Sequence, residues 1–65
     1  MDDFKKRLQV EMKELEEKFY KLDDFIDGKI FDTLEREDKN LLIMQLQTMR
    51  QYVFILHTRF DRLKG

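Results

Sequence analysis

Three long polar side chains recur every seven residues in the C-terminal half of the chain: Gln45, Tyr52 and Arg59. On a helix with 3.6 residues per turn, this spacing places them in one line along the helix. Tyr52 offers a flat aromatic face, and Arg59 offers a planar guanidinium whose fork matches phosphate oxygens. Aromatic stacking combined with guanidinium contacts is a common way for proteins to hold nucleotides. The line therefore predicts a binding site for a small anionic ligand of the nucleotide type.

Other cationic and aromatic side chains are expected to complete this site from neighbouring chains if the protein assembles. These are Arg50, Tyr20, Arg62, Lys18 and Lys21. A plainer interpretation of the line remains open. In that interpretation Tyr52 is an interface aromatic, Gln45 is a polar interface contact, and Arg59 pairs with acids on another helix.

Residues suited to catalysis are scarce. The chain has no serine, no cysteine and no Gly-rich phosphate loop, and its aliphatic hydroxyls are those of threonine. His57 is the one histidine and cannot build a usual zinc site with carboxylates alone. We interpret it as a partly exposed packing residue. The sequence thus predicts no enzymatic activity, no cofactor and no metal site.

Two amphipathic helices joined by a short segment are predicted to position these side chains. Helix 1 is expected over about residues 3–27, because apolar residues alternate at spacings of four and three, as a coiled-coil seam requires. That seam consists of Leu8, Met12, Leu15, Phe19, Leu22 and Ile26. Helix 2 is expected over about residues 36–64. A short joint between helices of similar length predicts an all-α, antiparallel two-helix hairpin in a single domain over residues 1–65.

The joint is predicted over about residues 28–35. Gly28 is expected to end helix 1 in the left-handed conformation, which glycine adopts without a steric penalty. A single helical turn is expected to begin at Asp32. Three apolar side chains are expected to cover the end of the hairpin: Ile30, Phe31 and Leu34.

Helix 2 carries more apolar surface than one partner helix can cover. Its seam runs through Leu42, Leu46, Met49, Val53, Leu56, Phe60 and Leu63. Further apolar residues lie off this seam and are predicted to form an oligomer interface: Leu41, Met44, Phe54 and Ile55. Unpaired apolar stripes of this kind mark association surfaces. We therefore predict a homo-oligomeric helical bundle of at least two chains.

Size and composition support association and exclude several classes of function. A chain of 65 residues without cysteine has no disulfides, and one core of this size rarely supplies more than about 3–5 kcal/mol. The 13 basic and 14 acidic residues give a net charge of −1, whereas proteins that bind duplex nucleic acid are usually strongly basic. No apolar run approaches the roughly 20 residues of a membrane span, and the charged N-terminus shows no apolar segment of the signal-peptide kind, so neither a span nor a signal peptide is expected. We expect a soluble, cytoplasmic protein without a membrane or duplex nucleic-acid partner.

Two stretches resemble a family of very small helical proteins encoded by tailed phages and prophages, including relatives of the crAss-like phages. They are residues 15–26, LEEKFYKLDDFI, and residues 41–52, LLIMQLQTMRQY. Most of the matching positions belong to the coiled-coil pattern. The positions that add specificity are Phe25, Gln45, Tyr52 and Arg59.

The resemblance implies a phage origin, an accessory role and a location in the cytoplasm of the bacterial host. Small oligomeric phage proteins of this size include sponges, which bind nucleotide second messengers of bacterial immunity and withhold them from effectors. We therefore expect non-catalytic sequestration of such a signal. Two alternatives remain open: a module that docks on a host or phage protein through the exposed apolar face of helix 2, and a purely structural phage oligomer.

Overall fold

The computed structural model describes residues 2–64, and side chains from residue 3 to residue 63. These residues form three helices and no strand: α1 (Asp2–Ile26), α2 (Lys29–Asp32) and α3 (Arg36–Lys64). The two long helices pack against each other and α2 lies in the joint between them. The prediction of an all-α helical hairpin is therefore confirmed.

The heptad seam forms the interface between α1 and α3. Its core consists of Leu8, Leu56 and Phe60, with Met12 and Leu15 packed against them. Leu56 is fully enclosed at 0% exposure. Burial of these side chains is the main favourable term for the hairpin, because each buried aliphatic or aromatic side chain contributes about 1.5–3 kcal/mol relative to full exposure.

The backbone of the joint differs from the sequence prediction at two points. Gly28 has φ −90° and ψ 170°, an extended conformation, because it caps the start of α2. The prediction that Gly28 is left-handed is therefore wrong. The helical turn begins at Lys29 and ends at Asp32, so the prediction that it begins at Asp32 is also wrong. The turn is closed by Thr33, whose backbone N–H donates to the carbonyl oxygen of Ile30 at 3.0 Å.

The apolar side chains of the joint are buried to different degrees. Phe31 is buried at 9% exposure, and the ammonium of Lys39 lies 5.8 Å from its ring centroid. Leu34 is half-buried, whereas Ile30 is 65% exposed. The prediction that Ile30 covers the hairpin end is wrong, because neighbouring side chains on a helical turn point about 100° apart. Only one of the adjacent Ile30 and Phe31 can face the helix pair.

Candidate functional site

Side chains beside the seam reach across it on both sides of α3. The hydroxyl of Tyr52 donates a hydrogen bond to Oε1 of Glu11 at 2.5 Å. On α3 five residues further along, Nε2 of His57 pairs with Oε1 of Glu16. Five residues correspond to about 140° of rotation on each helix, so the two pairs lie on opposite sides of the seam. We call the side with the Tyr52–Glu11 pair the Tyr52 side, and the side with the His57–Glu16 pair the His57 side.

The predicted line of Gln45, Tyr52 and Arg59 lies on the Tyr52 side, and all three residues are exposed. Tyr52 is 43% exposed, so its ring is accessible while its hydroxyl is held by Glu11. Each step of seven residues rises about 10 Å, which puts Gln45 and Arg59 about 21 Å apart along the helix. A small ligand on one chain can therefore reach two neighbouring members of the line, but not all three.

The charge around Tyr52 favours a protonated phenol. Glu11 raises the pKa of Tyr52 above its ordinary value of 10.0, first by accepting its hydrogen bond and then by its negative charge. Desolvation adds to this shift, and the positive charge of Arg59 lowers the pKa. At neutral pH the ring is therefore uncharged, so an anionic ligand meets a neutral aromatic face with an arginine one heptad away.

Arg59 also lines two adjoining grooves near the ends of the described chain. The first has a volume of about 260 Å³ and is lined by Phe4, Arg7, Leu8, Glu11 and Arg59. The second has a volume of about 220 Å³ and is lined by Phe4, Arg59, Arg62 and Leu63. The two grooves share Phe4 and Arg59. We call the combined surface the terminal groove.

Three residues of the terminal groove are not predicted by the helix 2 pattern: Phe4, Arg7 and Glu11. They lie on α1 and face a line of residues on α3, and the pattern of one helix does not show which residues of another helix lie opposite it. The sequence does indicate that they belong together, because spacings of three and four residues put them on one side of α1. Their proximity to Arg59 and Tyr52 is a property of the hairpin.

The predicted accessory residues Arg50 and Tyr20 lie elsewhere. The guanidinium of Arg50 is 5.8 Å from the ring centroid of Phe19, whose ring meets that of Tyr20 edge-to-face at 5.6 Å. Arg50 is seven residues before His57, so both lie on the His57 side of α3. Within one chain, Arg50 and Tyr20 are therefore not brought together with Tyr52. Their contribution to the same site requires a second chain.

The four residues predicted to form an oligomer interface are exposed in the single chain: Leu41 62%, Met44 60%, Phe54 61% and Ile55 53%. Leu41, Met44 and Ile55 lie within about 60° of one another on α3. We call them the apolar face. Arg59 is 18 residues after Leu41, which is five whole helical turns, so the apolar face adjoins the line of Tyr52 and Arg59. Phe54 points about 100° away from Ile55.

Two other kinds of site can be assessed over the same part of the chain. Among the described side chains, from residue 3 to residue 63, no group of three or more His, Cys, Asp or Glu is arranged to hold a metal ion. None of the helices in that range is long and apolar enough to cross a membrane.

A comparison with protein families gives one match. The family model described as Sequestin matches residues 2–62 of the chain. The match extends over both long helices and includes Phe4, Arg7, Tyr52 and Arg59. The family name indicates a sequestering role, in agreement with the sequence prediction at this coarse level. No curated protein and no solved structure matches the chain.

Proposed function

We propose that this chain, which belongs to the Sequestin family, binds a small anionic nucleotide-type signal without transforming it and withholds it from its receptor. In a phage, this activity would counter bacterial immune signalling. One observation carries the proposal: the exposed ring of Tyr52 is held by Glu11 one heptad from the exposed guanidinium of Arg59. The family name supports the sequestering part of the function.

Tyr52 and Arg59 would share the recognition of such a ligand. Stacking of a base on an aromatic ring contributes about 1–3 kcal/mol. Because Glu11 already holds the Tyr52 hydroxyl, little side-chain entropy is lost when a base stacks on it. Arg59 can bind phosphate oxygens with two parallel N–H donors, and a hydrogen bond to a charged group contributes about 1.5–3 kcal/mol.

The proposal includes a homo-oligomer of at least two hairpins. The apolar face of Leu41, Met44 and Ile55 is more than half exposed at every position, and exposed large apolar side chains on one side of a helix favour association. Because this face adjoins the Tyr52 line, its burial between chains would place copies of Tyr52 and Arg59 beside a shared cleft. Gln45 would lie beside the same cleft, and Arg50 and Tyr20 would complete the site where the His57 side of another chain meets it.

Calorimetric titration with a panel of cyclic and linear nucleotide second messengers tests this function. We expect at least one member of the panel to bind the wild-type protein. Tyr52→Leu and Arg59→Gln should each weaken that binding by at least about tenfold, because each removes an interaction worth roughly 1.4 kcal/mol or more. Recovery of the nucleotide unchanged after heat release from the complex would support sequestration over catalysis.

Arg36→Gln is the matched control, because it makes the same charge change at an exposed position where α3 begins. It should leave the affinity unchanged. Circular dichroism must show that the helicity of each variant is intact. Equal affinity in the wild type, Tyr52→Leu and Arg59→Gln would contradict the site, and binding of no nucleotide in the panel would contradict the function.

A second candidate function is docking on a protein, which is favoured by the exposure of Phe54 and of the apolar face on two different sides of α3. A chain with more than one unpaired apolar surface can associate with itself and still bind another helix. Co-purification of one stoichiometric host protein that is lost in Phe54→Lys, with nucleotide binding absent, would favour this candidate. A ligand-free oligomer with no partner would favour a purely structural role.

A further inference from the structure

We propose that the terminal groove binds the phosphate groups of the sequestered ligand through Arg7, Arg59 and Arg62, with Phe4 as its apolar wall. The inference deepens the proposed function and rests on it. Arg7 enters the groove from α1, and Arg59 and Arg62 enter it from α3. The site therefore exists in one chain and requires the two helices to be packed as a hairpin.

The three guanidinium groups are available to a ligand. Each of the three residues is exposed, and none forms an ion pair within 4.0 Å with a carboxylate among the side chains that the structure describes. Arg7 donates from Nε to the carbonyl oxygen of Asp3 at 3.4 Å, a long contact that uses one of its five N–H donors. Three forks of this kind can surround a group with several anionic oxygens.

Apolar side chains line the groove beside these cations. Phe4 lines both parts of the groove, with Leu8 at the base of the first and Leu63 in the second. Leu8 is 3% exposed, so the groove rests on the hydrophobic core. An aromatic wall and guanidinium groups together suit a phosphate that is attached to a planar base.

Basic residues predominate at the end of the hairpin that holds the terminal groove, and acidic residues predominate around the joint. Residues 3–9 and 58–63, at the end of the hairpin opposite the joint, carry five basic and two acidic residues, whereas residues 20–44 around the joint carry four basic and seven acidic residues. The hairpin is 47 Å long, several times the Debye length of about 8 Å at physiological ionic strength. An approaching anion is therefore attracted to the end that holds the terminal groove, although the net charge of the chain is −1.

Glu11 sets the direction in which the ligand lies. It lines the first part of the groove on the side of Tyr52, and it accepts a hydrogen bond from the Tyr52 hydroxyl. Its carboxylate repels phosphate, so the phosphate groups lie towards Arg62 and the base extends towards the ring of Tyr52. Replacing Glu11 by glutamine should then tighten the binding of a phosphate anion, whereas replacing an arginine should weaken it.

The groove on the His57 side is less suited to phosphate. It is larger, at about 410 Å³, and is lined by Gln9, Val10, Met12, Lys13, Glu16 and Phe60. Lys13 is the cation among these lining residues and Glu16 opposes it, so the net charge of the lining is close to zero. Phosphate recognition is therefore favoured at the terminal groove.

Heteronuclear NMR with inorganic pyrophosphate as the probe tests the site on the full chain at low salt. We expect saturable chemical-shift changes at residues 4–11 and 59–63, and none around the joint. Arg7→Gln and Arg62→Gln should each weaken pyrophosphate binding by about threefold or more, the effect of one exposed ionic contact. Glu11→Gln should strengthen it, and Arg36→Gln, the control at the other end, should have no effect.

The same variants are then titrated with the nucleotide that binds the wild type. Weaker nucleotide binding in Arg7→Gln and Arg62→Gln supports the site. Shifts that are absent or spread evenly over all lysines and arginines overturn it. If a nucleotide binds but is insensitive to Arg7 and Arg62, the site is wrong and the proposed function stands. Pyrophosphate bound in the groove without any nucleotide ligand would support the phosphate site and overturn the proposed function.

Discussion

Tyr52 combines a structural contact with an exposed aromatic face. Its hydroxyl bonds to Glu11 on the other long helix, which ties α3 to α1 across the seam. The residue is 43% exposed, which leaves its ring accessible near Arg59. A substitution at Tyr52 therefore affects both packing and the proposed binding, whereas the pKa of its phenol reports on its charged neighbours without a change at Tyr52 itself.

The pKa of Tyr52 is predicted to lie above 10.0 and to respond to its two charged neighbours in opposite directions. Glu11→Gln should lower it towards the ordinary value, because the accepting anion is lost. Arg59→Gln should raise it further, because a stabilising cation is lost. Ultraviolet absorbance during alkaline titration measures this in the Tyr20→Phe background, where Tyr52 is the only tyrosine.

The sign of the linked stability follows from the raised pKa. Folded Tyr52 holds its proton more tightly than unfolded Tyr52, so the contact contributes fully below the unfolded pKa near 10.0. That contribution is lost as the pH rises through the higher folded pKa. A titration curve for Tyr52 that is identical with and without Glu11 would show that the hydrogen bond is not formed in solution.

At the scale of elements, the single turn of α2 determines how the hairpin end is covered. Phe31 packs inward beneath Lys39, and the adjacent Ile30 points to solvent. Two neighbouring apolar residues on a four-residue helix therefore have opposite environments. This contrast provides a pair of substitutions in the same element.

Phe31→Ala should lower the free energy of unfolding by about 3 kcal/mol, the range for large-to-small changes of buried aromatics. Because a chain of this size has only about 3–5 kcal/mol of stability, this variant should be close to unfolded. Ile30→Ala should change stability by about 0.5 kcal/mol or less, as surface substitutions usually do. Urea denaturation followed by circular dichroism compares the two.

An equal loss in both variants would show that Ile30 is also covered in solution. In a single hairpin nothing that the structure describes covers it, so the cover would have to be another chain. The comparison therefore tests the conformation of the joint and also reports on assembly at this end of the molecule.

The whole molecule is a rod with little interior. Its radius of gyration is 14.8 Å, whereas a compact domain of this length would have about 11 Å. Leu8, Leu56 and Phe60 form one buried cluster, and large apolar side chains such as Leu41 and Phe54 remain exposed. A rod two helices wide cannot enclose both the seam and these stripes, which is the physical reason to expect association.

The apolar face is predicted to hold hairpins together. The melting temperature of the wild type should rise with protein concentration, because association stabilises the folded chain by mass action. Ile55→Lys should reduce the sedimentation coefficient to that of one hairpin without loss of helicity at low temperature. Gln47→Lys, an exposed polar position on the same helix, is the control. A wild type that sediments as a single hairpin at all concentrations would contradict the oligomer.

Much of this architecture can be predicted from the sequence, because helical periodicity is a local property. The alternation of apolar residues in α1 and α3 is sufficient to predict two long helices and an antiparallel hairpin, and the hairpin is confirmed. The line of Gln45, Tyr52 and Arg59 follows from their spacing on one helix. Its role in binding stays a prediction. The excess of apolar residues off the seam is likewise a property of the sequence alone.

Only the tertiary structure shows the features that involve two helices, such as contacts between side chains of α1 and α3. The partners of Tyr52 and Arg59 on α1, namely Glu11, Phe4 and Arg7, follow from the axial register and rotation of α1 against α3, which no pattern within one helix contains. The extended Gly28 likewise follows from the turn that comes after it. The sequence by itself thus determined the helices and the side chains that each presents, because these depend on local spacing. Only the packing of the helices decided which of those side chains meet.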